Sequence, residues 1–284
     1  PSSNQSALKL VARTEARMRH LAAICALVLS ACGSAPTGGT SSTGTPATTD
    51  SAPATPAEHT DWPRFGLDVG RSSANYASTG IDAGNVGSLR RQQVKIDGTV
   101  DASAIYLHGA SVNGAARDVF FVTTTYGKTL AIDADSGRVL WEYTPAGYSS
   151  WEGSRQITTA TPVADPDRQN IYAASPDGDI QKLAVSDGHV VWRSPVTNLP
   201  KYEKIASSLN YFRGNIMVTT GGYIGDAPPY QGHVAILDAA TGKLLHVWNS
   251  LCSDQAVLLD PKSCAESGSA IWGRAGAVVD STTG

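Results

Sequence analysis

The chain is poor in charge and has no basic excess. Charged side chains make up 17% of its 284 residues, with 22 Lys and Arg against 25 Asp and Glu, for a formal net charge of −3. Nucleic-acid binding needs a basic footprint that displaces counterions, so nucleic acid is not an expected partner. Long apolar runs are missing too. The N-terminal one, Leu21–Ala31, is too short to cross a bilayer as a helix. The six His are scattered, without the spacing of a zinc site. Cysteine is sparse: Cys25 and Cys32 lie in or beside the N-terminal apolar run, and Cys252 and Cys264 lie far downstream in a polar stretch. What is present is a 41% hydrophobic content in a chain long enough to bury a sizeable core, as one large domain or two ordinary ones.

The N-terminus reads as an address. Met18-Arg19-His20 is basic, Leu21–Ala31 has the length of a signal-peptide core, and Leu29-Ser30-Ala31-Cys32 resembles the bacterial lipobox, in which the cysteine thiol receives lipid. The expectation is upstream, non-native sequence over 1–17, a lipoprotein signal peptide over 18–31, and lipidation of Cys32. The lipid anchor makes a membrane surface a partner and places the protein at the cell envelope, periplasmic or outer. Residues 32–60 are mostly Gly, Ser, Thr, Pro and Ala, too poor in apolar surface to order themselves, and read as a flexible tether. Export puts Cys252 and Cys264 in an oxidising compartment, where a disulfide closing that short loop contributes about 3 kcal/mol by loop entropy.

From about residue 100 the chain repeats with a period of about fifty residues. One register recurs three times: Leu130 through Trp141, Lys182 through Trp192, and Val234 through Trp248, each a strand, a Gly-containing turn and a second strand ending in Trp. Asp side chains bond the turn backbone, and Gly takes the positive φ that closes the hairpin. The tryptophans, once per unit, are expected to dock between neighbouring units. Two further strands precede each hairpin: 102–107 and 118–123, 157–164 and 170–174, 204–212 and 215–220. Four short strands per unit is the pattern of an all-β propeller, expected over 61–284.

The motif Ala-x-Asp-x-x-(Ser/Thr)-Gly-x-x-x-Trp resembles the repeat of the pyrroloquinoline quinone (PQQ) enzymes. Asp61-Trp62-Pro63-Arg64-Phe65-Gly66-Leu67-Asp68, with Asn85-Val86-Gly87-Ser88-Leu89, is similar to the start of quinoprotein alcohol dehydrogenases, and Thr161–Asp165 and Gly276–Gly284 look like their blade-opening strands. The resemblance implies a ring of about eight blades, of which this sequence supplies three and the opening of a fourth, roughly half. It also implies PQQ against a Trp face, a nearby Ca2+, and oxidation of an alcohol or sugar. The sequence departs from the pattern in having no adjacent Cys-Cys pair. The same repeats occur in outer-membrane-assembly lipoproteins, which bind no quinone and act through protein contacts, so a scaffold for an envelope protein or polymer is the alternative to a dehydrogenase feeding an electron acceptor.

Three connections are long: 145–156, 221–232 and 249–271. Long loops in a compact domain carry function or fix the rim. Trp151, Glu152 and Arg155 lie in the first, Tyr223, Asp226 and Tyr230 in the second, and Trp272 and Arg274 just after the third. Glu152, Trp272 and Arg274 are the candidate cofactor contacts, and the others are candidates for a ligand face of aromatic plates and charges.

Overall fold

The computed structural model describes residues 58–223, 225–260 and 263–284. The expected signal peptide, the expected lipidation site Cys32 and most of the expected tether lie outside them. The described chain is almost wholly β, in three antiparallel sheets. The first contains β1 (Ile105–Val112), β2 (Ala115–Thr123), β3 (Thr129–Asp133) and β4 (Val139–Tyr143). The second contains β5 (Val163–Ala164), β6 (Asn170–Ala174), β7 (Asp179–Ala184) and β8 (Val190–Pro195). The third contains β9 (Glu203–Ile205), β10 (Asn210–Phe212), β11 (Asn215–Gly222), β12 (His233–Asp238) and β13 (Leu244–Asn249). Neighbouring strands pair in sequence order, and β9 and β10 pair with opposite ends of β11. These are propeller blades. No helix of the described residues is long and apolar enough to cross a membrane.

The β3–β4 and β12–β13 hairpins close as the turn chemistry requires. Asp133 Oδ1 accepts from the Ser136 backbone N–H at 2.8 Å and its hydroxyl at 2.6 Å, and Asp238 does the same for Thr241 at 2.8 and 2.7 Å. In the middle hairpin the equivalent position is Ala184, and Asp187 instead accepts from the His189 N–H at 3.0 Å. Gly137, Gly188 and Gly242 take φ of 72°, 76° and 74°. Each hairpin carries a bulge just after its turn, at Leu140, Val191 and Leu245.

The repeated tryptophans lock each blade to the next. Trp141 donates from Nε1 to Val185 O at 3.0 Å and lies so close over Gly188 that a Cβ there would sit 2.5 Å from its ring. Trp192 donates to Ala239 O at 3.3 Å and covers Gly242 in the same way. Trp248 is 53% exposed. Around these plates run two apolar clusters, one joining the first two sheets through Phe121, Ile171 and Leu183, the other joining the second and third through Tyr172, Leu209 and Ile216. Val94 and Ile96, from the segment before β1, cover the far face of the first sheet.

The first strands of the blades differ from expectation. β1 starts at Ile105 and runs on to Val112, and only Val163–Ala164 of 157–164 is strand. Thr158 Oγ1 donates to Ile205 O at 2.7 Å, Thr159 Oγ1 to Ala206 O at 2.8 Å, and Thr161 O accepts from Leu209 N at 3.1 Å, so this stretch bonds the next blade instead of its own. The expected strand 204–212 is broken at Ala206–Leu209, where Ser208 turns to Arg274 O. Gly276–Gly284 forms no strand, and Val279 N bonds Val69 O.

The entry segment explains that last contact, because it straps the three sheets together. Trp62 exchanges backbone bonds with Tyr106, Pro63 O accepts from Ala164 N at 2.8 Å, and buried Arg64 donates to Asn210 Oδ1 at 3.0 Å and Tyr211 O at 2.6 Å. Arg71 adds Leu209 O at 3.0 Å. Ordered contacts start ahead of the strap, since Glu58 N bonds Ser78 O at 2.7 Å.

Candidate functional site

The first long loop is tied to its own blade. Trp151 is buried at 4% exposure and donates to Tyr126 O at 3.0 Å, so it packs the loop and offers no open face, contrary to its expected ligand role. Exposed Glu152 accepts from the Tyr148 hydroxyl at 3.0 Å. The Tyr148 ring in turn lies 5.0 Å from Lys128 Nζ, which pairs with Asp97 at 2.5 Å and Glu142 at 3.2 Å. Arg155 is exposed.

The second and third loops are zipped together. Gly232 N bonds Gly268 O at 3.1 Å, Gly268 N bonds Tyr230 O at 2.7 Å, Ser250 Oγ donates to Gly232 O and Ser269 O, and Ile271 N reaches Thr220 O at 2.9 Å. Cys252 and Cys264 are bonded, with Cα atoms 6.2 Å apart, closing the third loop on itself. The second loop contains a cis bond between Pro228 and Pro229. Tyr230 is buried and bonds Asp226, and Tyr223 is buried with its hydroxyl donating to Pro200 O at 2.8 Å. Burial pushes both phenols up, so they remain protonated.

Between these loops and β9 lies a cavity of about 250 Å3, lined by Lys204, Ala206, Gly222, Tyr223, Gly225, Asp226 and Trp272. Trp272 is 61% exposed. The ring can pack this close because residue 221 is glycine: a Cβ there would lie 3.1 Å from Trp272 Cβ. A Cβ on Gly222 would meet Tyr230 at 2.7 Å and Asp226 at 2.9 Å. Half-buried Lys204 supplies the cation. Its pKa is lowered, chiefly by desolvation, against the pull of Asp101.

Strand alternation turns Glu203, the residue before Lys204, into the core. Its Oε1 accepts from Gln231 N at 2.8 Å, and Oε2 takes the Thr197 hydroxyl. His233 Nδ1 stands 4.0 Å from that carboxylate, and its Nε2 donates to Val196 O at 2.7 Å. Burial raises the Glu203 pKa, with the charge of His233 opposing. This buried pair braces the second loop from below and so holds the cavity wall. Of the expected residues, the cavity brings together Tyr223, Asp226 and Trp272, with Tyr230 behind them. Trp151, Glu152 and Arg155 are not among its lining, and Arg274 turns away to Asp101 Oδ1 at 2.7 Å. Lys204, Glu203 and His233 were not singled out from sequence, where Glu203-Lys204 sits in the mixed polar stretch Lys201–Ser208 and carries no distinguishing pattern.

A family model, PQQ_2, described as outer membrane protein assembly factor BamB, matches residues 73–255. The chain belongs to this family. Among curated relatives of the PQQ_2 chain, a quinohemoprotein alcohol dehydrogenase of Pseudomonas putida is 24% identical over 62% of this chain and 24% of its own length. A polyvinylalcohol dehydrogenase of Sphingopyxis is 25% identical over 61% of this chain and 27% of its own length. The PQQ_2 chain thus spans about a quarter of the relatives it matches. Among solved structures, a second quinohemoprotein alcohol dehydrogenase of Pseudomonas putida superposes with a TM-score of 0.55 at 21% identity, covering 67% of this chain and 27% of the other. One from Comamonas testosteroni gives 0.51 at 20% identity, with the same coverage. These establish a quinoprotein-type β-propeller fold.

Proposed function

We propose that the protein is an exported, lipid-anchored quinoprotein that binds PQQ in the Trp272 cavity and oxidises an alcohol or a sugar, passing electrons to an acceptor at the envelope. The observation that carries this reading is the open Trp272 ring beside Lys204 in a cavity floored by glycines. An exposed aromatic face and an ammonium group suit a planar, acidic heterocycle, one stacking its ring and the other pairing its carboxylates. At Gly225 the space a side chain would take is open, which leaves room for close approach. When bound, the quinone supplies the redox step, and the chain's own task is to hold and desolvate it. Calcium fits less well. Among the described residues of this wall Asp226 is the one carboxylate, against the six to eight oxygens the ion takes.

The relatives named quinohemoprotein alcohol dehydrogenase and polyvinylalcohol dehydrogenase support an alcohol as substrate class. The test is a PQQ titration of the full chain, read by tryptophan fluorescence and the visible spectrum, followed by alcohol- or sugar-dependent dye reduction. One PQQ per chain is expected, with binding at least tenfold weaker in Trp272→Ala and Lys204→Met, a loss of about 1.4 kcal/mol or more. A folded protein that ignores PQQ, or variants that bind it equally well, would overturn the reading. The family description favours a second reading, a scaffold for protein contacts. Capture of a defined envelope partner by a protein inert to PQQ would support it.

A further inference from the structure

The scattered histidines do meet in one place. In β1 the ladder to β2 is in register up to the pair Leu107 and Val119 and resumes at Ala110 and Arg117, so His108 and Gly109 bulge opposite the single residue Asp118. A bulge frees backbone groups from the ladder and re-aims a side chain. Here three of the freed groups are taken by side chains. His108 N bonds Asp61 Oδ1 at 2.8 Å, His108 O accepts from the Arg168 guanidinium, and Gly109 N bonds Asp118 Oδ1 at 2.8 Å. Arg168 is itself paired to Asp61 at 3.0 Å, so its charge is balanced next to the bulge.

The result is an imidazole and a carboxylate held face to face. His108 Nδ1 lies 2.7 Å from Asp118 Oδ1 and is shut off from solvent. Asp118 Oδ2 is fixed by the Tyr106 hydroxyl at 2.9 Å. From the entry segment, His59 stacks on His108 with centroids 4.6 Å apart and planes 16° from parallel. One ligand atom from each of His59, His108 and Asp118 lies within 4.8 Å of the others.

We infer that His59, His108 and Asp118 form a binding site for a divalent transition-metal ion, with zinc as its occupant. Two imidazoles and one carboxylate are the donor set that zinc takes at about 2.0–2.2 Å, with a fourth position left for water. Those bond lengths set the donor atoms of a tetrahedral site about 3.3 Å apart, so exposed His59 must rotate in while the His108–Asp118 pair, now 2.7 Å apart, opens slightly to admit the ion. Tyr106 and the Gly109 N–H hold the carboxylate as outer partners of a metal ligand do. Imidazole nitrogen discriminates against Ca2+ and Mg2+, so the site is distinct in kind from a calcium shell.

The experiment is calorimetric titration of the untagged full chain, stripped with chelator, using Zn2+ alone, with Co2+ as a visible-band reporter. One zinc per chain is expected, with cobalt bands of a nitrogen- and oxygen-ligated ion and a zinc-dependent rise in melting temperature. His59→Ala, which removes only an exposed ring, and Asp118→Asn should each weaken zinc at least tenfold and abolish the thermal shift. Absence of binding in the micromolar range, equal binding by the variants, or displacement of zinc by equimolar Ca2+ would overturn the assignment.

Discussion

Gly188 and Gly242 each lie under the indole of the preceding blade, and neither position has room for a methyl group. Gly188→Ala combines a positive-φ penalty with overpacking against Trp141, and should cost about 1–3 kcal/mol, read as a lowered denaturation midpoint. The tryptophans were legible from sequence because they recur. The need for glycine beneath them was legible only as turn chemistry, since the packing partner lies one repeat earlier in the chain. Asp133 gives a pH-dependent case at the same scale. The Ser136 hydroxyl and N–H, with Arg117 assisting, hold its pKa down to about 2 from the usual 3.8. A carboxylate with a depressed folded-state pKa stabilises the fold above its unfolded value and loses that contribution as pH falls through the folded one. Acid unfolding of the wild type between about pH 4 and 2 should therefore be steeper than that of Asp133→Asn, as measured by circular dichroism.

Among the elements, hairpins were readable and first strands were not. β3, β4, β12 and β13 carry their turn signals and alternation within a dozen residues. The stretch 157–162 shows the same β-branched composition, yet its hydroxyls and carbonyls bond the next blade, a choice that depends on residues some fifty positions away. The long loops divided similarly. Trp151 and Trp272 are both tryptophans in or beside long loops, and one is buried by Tyr126 while the other stands open over Gly221, a difference that composition does not record. The third loop is held by its disulfide as well as by the bonds to the second. Replacing Cys252 and Cys264 by Ser should cost about 2–4 kcal/mol, and weaken PQQ uptake if the Trp272 cavity is the site. Denaturant titration with and without reductant checks the first part.

For the whole molecule, composition and repeat period indicated a propeller, while neither site was fully encoded in spacing. Lys204 and Trp272 are far apart in sequence, as are His59 and Asp118; the first pair meets where the segment after the third loop lies on the third blade, the second where the entry segment lies on the first. The expected envelope address is tested at this scale too. If Cys32 is the lipidated residue, Cys32→Ser should move the protein from the membrane pellet to the soluble fraction, with its melting temperature unchanged. The strap over Trp62–Arg71 has a consequence for timing. Its guanidinium anchors sit 137 to 147 residues ahead of the atoms they bind, so although Trp62 and Pro63 can dock on the first two blades as these form, Arg64 and Arg71 have no partners until the third blade has been made. Contacts of such separation slow the search for the native state. The strap therefore closes late, and Arg64→Ala should hasten unfolding far more than it slows refolding, leaving early synthesis exposed to any chaperone that recognises an unpaired sheet.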